Sequence, residues 1–186
     1  MRGANRAVRP RFGPWFVRGS ARGSLSSVGD GYHRLMAHWL LKTEPTSFSI
    51  DDLARKEVEH WDGVRNFQAR NNLRAMRLGE EAFFYHSSTG EPGIAGICKV
   101  VREAYPDESQ FDPTSKYFDP RAMPEKPRWY MPDVGFVAKF AREITLAELR
   151  TVPGLEGMVL LNRSRLSVQP VAPEEWNIIM QLAEQR

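Results

Sequence analysis

Cysteine is nearly missing: Cys98 is the one thiol in 186 residues, which rules out a disulfide framework. It sits between Ile97 and Lys99 with no histidine near it in sequence, a setting that suits a small buried hydrophobe rather than a nucleophile. No window approaches the roughly 18 consecutive apolar residues of a membrane-spanning helix. A phosphate-cradling Gly-Lys-Ser/Thr loop is absent, and Gly90, Gly93 and Gly96 do not fit dinucleotide spacing. The histidines, at 33, 38, 60 and 86, offer no helical pair for zinc. Neither a metal nor a cofactor is therefore expected.

Negative charge is scarce at one end. The first 35 residues carry seven arginines, no lysine and one acid, Asp30, for a net +6 within a whole-chain charge of +3. Subtraction leaves 19 basic and 22 acidic residues over 36–186, a net of −3. A mildly acidic body argues against sequence-blind coating of DNA, whose affinity comes from neutralised phosphates, so any nucleic-acid contact should be local. Residues 1–35, rich in Gly, Ser and Arg, read as a disordered extension. A mitochondrial transit peptide and a misassigned start are the alternatives, and Met36-Ala-His-Trp, which leads straight into the first strand, favours Met36 as the true start. With 41% hydrophobic residues, the remainder suffices for one core.

His38 to Lys42 reads as a strand stopped at Glu44-Pro45. Capping boxes at Ser49–Asp52 and Thr145–Glu148 announce short helices. Residues 82–101 form a hairpin around Ser88-Thr-Gly-Glu-Pro-Gly93, and its arms are apolar on both faces, as in a closed or heavily packed sheet. Further strands are expected at 133–140, 158–161 and 166–171, and a closing helix from Pro173. Without regular strand–helix alternation, this is a mixed α/β fold, a small barrel rather than a doubly wound sheet.

Residues 61–76 combine an aromatic, a turn, carboxamides and arginines, which suits recognition better than catalysis. Trp61 offers a π-face, Gly63 a close backbone approach, and Asn66 a donor and an acceptor for a planar edge such as a nucleobase. A helix from about Asn66 would set Arg70, Arg74 and Arg77 beside an apolar stripe of Ala69, Leu73 and Met76. The stretch Tyr105–Pro132 holds six prolines and, beyond Tyr105, five aromatics; it reads as an ordered lid or wall whose aromatics mostly anchor it, with Trp129 moved toward the pocket. His86 and Ser87 point to opposite faces of a strand, so His86 is a satisfied core histidine or a ligand donor rather than a general base.

Trp39-Leu-Leu-Lys-Thr-Glu-Pro45, Trp61-Asp-Gly-Val-Arg-Asn-Phe-Gln-Ala-Arg-Asn71, Glu81-Ala-Phe-Phe-Tyr-His-Ser87 and Arg165-Leu-Ser-Val-Gln-Pro170 together resemble the EVE domain, over essentially all of 38–186. The resemblance implies a PUA-like pseudo-β-barrel with short flanking helices, related to RNA-binding PUA domains and YTH readers. It implies a non-enzymatic reader of a modified base, notably 5-methyl- or 5-hydroxymethylcytosine in DNA, held in an aromatic pocket. Lys42, Thr43 and Glu44 would form its floor, and Trp61, Asp62, Gly63, Val64, Arg65 and Asn66 its wall and rim. Tyr85, His86 and Ser87, with Trp129 and Asp133, would complete it, while Arg65, Arg70 and Arg74 hold flanking phosphates. The expected partners are nucleic acid with a modified base and an effector protein, since a lone reader has none of its own; the chain is expected to be a monomer of the cytosol or nucleus. The rival readings are a PUA-type binder of structured RNA and a small hydrolase or transferase using Glu44 or Asp62 as general base.

Overall fold

A computed structural model describes residues 36–185; the expectations for residues 1–35 lie outside the described residues. Six strands, β1 (His38–Thr43), β2 (Val58–His60), β3 (Glu81–His86), β4 (Gly93–Pro106), β5 (Tyr130–Thr145) and β6 (Val168–Val171), form one sheet in the order β2-β5-β4-β3-β1-β6. Only β1 and β3 run parallel; Trp39 faces Ala82 and Thr43 faces His86 across that pair. The crossover between them carries α1 (Ile50–Lys56), β2 and α2 (Phe67–Ala75). The later helices are α3 (Leu146–Leu149), α4 (Val159–Asn162) and α5 (Pro173–Glu184).

The mixed class is as expected, but the sheet is not closed into a barrel. β2 and β6 are its edges, of three and four residues, and short edges are one way a sheet limits its unpaired backbone groups. Both faces are nonetheless covered, which explains the doubly apolar strands. Consecutive side chains point to opposite faces, so Leu41 and Phe84 join Ile50, Leu53 and Leu73 of α1 and α2, whereas Leu40 and Phe83 join Leu149, Leu155, Trp176 and Ile179. Trp176 of α5 stacks on Phe83 with centroids 4.0 Å apart. The closing helix thus lies on a face of the sheet rather than capping one end.

The Ser49–Asp52 capping box closes in both directions, Ser49 Oγ accepting from Asp52 N and Asp52 Oδ2 from Ser49 N. Thr145 makes only the N-cap half, its Oγ1 accepting from Glu148 N while the Glu148 carboxylate pairs with Arg142. Residues 158–161 are no strand. Arg163 N donates to Val159 O at 2.7 Å, closing a helical turn, and a four-residue apolar run carries no periodicity that could separate the two forms. The expected hairpin is β3 and β4, paired from Glu81↔Lys99 to His86↔Gly93, but β4 runs on past it to Pro106, because bulges let it continue pairing with β5 as far as Tyr105↔Met131 and Pro106↔Tyr130. The long loop therefore springs from a sheet ladder, and residues 107–129 are tied down from within. Gln110, wholly buried, accepts from Arg128 N and Trp129 N and donates to Asp107 O and Trp129 O.

Candidate nucleic-acid interface

The end of β1 and the segment after β2 approach each other across an open cleft of about 650 Å³. Lys42, Thr43 and Glu44 line one side, and Trp61 to Arg65 another. Phe48, His60 and Ser167 add to the lining, and Lys116 and Tyr117 reach in from the long loop. The β1 end is fixed on both flanks. Lys42 N donates to Ser167 O, and Thr43 O accepts from Ser87 N at 2.7 Å. Trp61 N bonds Pro132 O, and its ring meets Phe84 edge-on at 5.6 Å, leaving the residue only 7% exposed. Trp61 therefore presents a sliver of its ring while the rest belongs to the core.

Gly63 is the hinge of this wall. Its φ is +73°, and a Cβ there would lie 2.5 Å from Tyr117 Cζ, so only glycine lets the loop aromatic lie against the backbone. Asp107, 1% exposed, ties the two segments together: it accepts from Gly63 N at 3.0 Å, from Arg65 Nη1 at 2.7 Å and from Ser109. Burial alone would raise this carboxyl; the bonds from Ser109, Arg65 and Gly63 outweigh it and hold the group below its usual range. Asp62, beside it in the cleft, is raised by burial and by the charge of Asp107. Burial brings Lys42 down to about 8, and its Nζ donates to Ser164 O at 2.9 Å.

Several expected residues lie elsewhere. Asn66 caps α2 instead, its Oδ1 accepting from Ala69 N, and lines a separate groove with Gln68 and residues 162–166. Tyr85 and Ser87 line a third groove that shares Lys42, Thr43, Glu44 and Ser167 with the cleft. His86 is a satisfied core histidine: Nε2 accepts from Ile50 N at 3.1 Å, so Nδ1 carries the proton shared with Glu143 at 2.7 Å. Trp129 donates its Nε1–H to Asp119 and stacks on Phe67 at 5.0 Å, anchoring the loop outside the cleft lining. Asp133 accepts from the Tyr105 hydroxyl at 2.5 Å, also outside it.

The arginines are largely spent within the fold. Arg65 donates to Tyr117 O, Val64 O, Asp107 and Ser109, which uses four of its five N–H groups. Arg70 bridges Asn71 and Arg128 O, and Arg74 lies over the Tyr130 ring at 4.6 Å; neither lines the cleft or its grooves. The aromatic that sequence reasoning missed is Tyr117. Its signal was present in the aromatic-rich loop, but nothing local distinguishes the one ring that turns inward from the others that anchor. Phe48 was missed too, because it directly precedes a capping box and reads as part of a helix start.

Compared with known families, residues 37–182 match the EVE domain. This chain belongs to the EVE-domain family. The EVE domain here is 49% identical over 169 residues to human thymocyte nuclear protein 1, spanning 81% of this chain and 75% of that protein. Its fold matches that of the human THYN1 protein in complex with 5-methylcytosine-containing DNA with a TM-score of 0.77 at 48% identity, covering 81% of this chain and 99% of that one. A hypothetical protein from Leishmania major is equally similar, with a TM-score of 0.78 and 51% identity over 81% of this chain and 96% of that one. Among the described residues of this EVE domain, no helix is long and apolar enough to cross a membrane, and no group of three or more His, Cys, Asp or Glu could hold a metal ion.

Proposed function

We propose that this protein reads a modified cytosine in DNA, binding the base in the cleft between Lys42–Glu44 and Trp61–Arg65 and releasing it unchanged. The observation that carries the reading is the 48% identical human structure, whose DNA contains 5-methylcytosine. The cleft supports it: about 650 Å³ falls within the roughly 300–1,000 Å³ usual for small-ligand sites. Trp61, Phe48 and Tyr117 supply apolar and aromatic surface, while Lys42, Thr43, Glu44 and Asp62 supply donors and acceptors for a base edge. A base would have to leave its stack to enter, and stacking on protein aromatics returns roughly 1–3 kcal/mol per base. Affinity should therefore be modest, with selectivity resting on the modification. The site residues proposed are those of the cleft; Asn66, Tyr85, His86, Ser87, Trp129 and Asp133 hold or flank it. An effector protein would be needed to turn recognition into an outcome.

The test is equilibrium binding of the full chain to matched DNA and RNA oligonucleotides carrying cytosine, 5-methylcytosine, 5-hydroxymethylcytosine or N6-methyladenine, with mass analysis of the recovered ligand. Selective binding of modified DNA, returned intact, is the expected result. Tighter binding to folded RNA would replace the reading with an RNA binder, and an altered ligand would make the protein an enzyme. Tyr117→Ala should reduce the modified-to-plain ratio without unfolding the chain. Trp61→Phe is the companion variant, because Trp61→Ala would also empty part of the core.

A further inference from the structure

A strand whose base enters the cleft must carry its phosphates away across the rim, and the rim is not uniform in charge. The cleft lining mixes Lys42, Lys56, Arg65 and Lys116 with Glu44, Glu59 and Asp62. Three of those cations are already engaged, Lys56 by Glu59, Arg65 by Asp107 and Lys42 by Ser164 O, so phosphates held over the cleft meet carboxylates and mostly spent donors. The neighbouring groove of about 370 Å³, between α2 and residues 162–166, has no acidic residue in its lining. The third groove, about 510 Å³, adds Arg150 and has Glu44 as its one acid. It shares Lys42, Thr43 and Ser167 with the cleft, and Ser164 and Arg165 with the acid-free groove. A continuous path therefore leads from the cleft past Arg165.

Unlike Arg65 and Arg70, the cations on this path are uncommitted. The side chains of Arg150 and Arg165 make no hydrogen bond or ion pair among the described residues, and Arg163 reaches only Gln68, at 3.4 Å. All three residues are exposed. The turn that bears two of them is braced from beneath. Leu166 N donates to Arg163 O, buried Gln169 donates to Leu166 O at 2.7 Å and to Arg163 O, and Lys42 Nζ donates to Ser164 O. These bonds engage the carbonyls of the turn and hold its backbone in one conformation while the guanidinium groups stay in solvent. Pre-ordered arginines with unspent donors are what phosphate oxygens require.

We propose that Arg163 and Arg165, with Arg150 further along, form the phosphate track for the nucleic-acid strand, a site that rests on the base-reading function proposed above. The α2 arginines, held against Trp129, Phe67 and Tyr130, are not needed for it.

The experiment measures fluorescence anisotropy of the full chain with an oligonucleotide carrying one 5-methylcytosine and with its unmodified twin, across a salt series. The variant is Arg163→Gln/Arg165→Gln, and Lys99→Gln/Lys126→Gln removes the same charge away from the grooves. Two lost phosphate contacts should flatten the slope of log affinity against log salt by about 1.4 for a single strand or about 1.8 for a duplex. Affinity should fall by the same factor for both oligonucleotides, leaving their ratio intact, with the control pair keeping the wild-type slope. A wild-type slope in Arg163→Gln/Arg165→Gln, or an equal drop in the control, overturns the track. Absence of a modified-to-plain ratio in the wild type would instead defeat base reading while leaving the track to be judged by the slopes.

Discussion

Asp107→Asn removes a charge while keeping the shape, and the structure says what should follow. One carboxylate oxygen accepts from Gly63 N and Arg65, the other from Ser109 N and its hydroxyl. An amide turned either way sets an NH2 group against donors. The less costly orientation points it at Ser109, whose hydroxyl can rotate to accept but whose N–H then loses its partner. The ion pair with Arg65 also becomes a weaker bond from the guanidinium to a neutral amide oxygen. Losing a bond to a charged group and leaving a buried N–H unpaired each cost about 1–3 kcal/mol. Arg65 keeps about a fifth of its side chain in solvent, which softens the first cost, so we expect a net loss of about 2–4 kcal/mol. Urea denaturation of wild type and variant reads this directly, and a cycle with Arg65→Gln should show strong non-additivity. The same variant should weaken the modified-to-plain ratio, because the carboxylate joins the cleft wall to the long loop. Stability within 0.5 kcal/mol of wild type at neutral pH, the scatter of an ordinary surface substitution at about ±0.5 kcal/mol, would refute the account of the wall. The pH dependence gives a second check. With its folded value below the unfolded carboxylate's, at about 3.9, Asp107 stabilises the fold fully above about pH 4 and loses that contribution as pH falls through the folded value. The gap between wild type and Asp107→Asn should therefore narrow on acidification.

Gly63→Ala places a Cβ into the Tyr117 ring at a φ of +73°, and should cost about 1–3 kcal/mol and displace the loop aromatic. Melting and binding measured together check it, and wild-type values in both would show that the close approach has no consequence. Cys98 is fully buried, with burial pushing its thiol up to about 12, so a thiol reagent such as DTNB should react only after denaturant unfolds the chain. Rapid stoichiometric labelling of the native protein would contradict that placement.

Much of the fold was legible because it rests on signals that act over a few residues. The apolar arms of 82–101, the capping serine and threonine, and Pro173 at the start of a helix with Trp176 and Ile179 spaced along it each state their local form. The turn at 158–162 shows the limit: four apolar residues fit strand or helix, and only the lack of a partner strand decides. Barrel closure failed for a related reason, since two covered faces look alike in sequence whether or not the edges meet.

By itself the sequence determined a mixed α/β domain of the EVE family, the Trp61–Arg65 wall and the Lys42–Glu44 strand end, because those stretches carry their chemistry in consecutive residues. Only the tertiary structure decided that Tyr117 reaches the cleft while Trp129 anchors the loop outside it, and that Arg65 is committed while the Arg165 side chain has no partner among the described residues. Those choices depend on contacts such as Asp107 to Gly63, 44 residues apart. Nothing within a few residues of either partner encodes them.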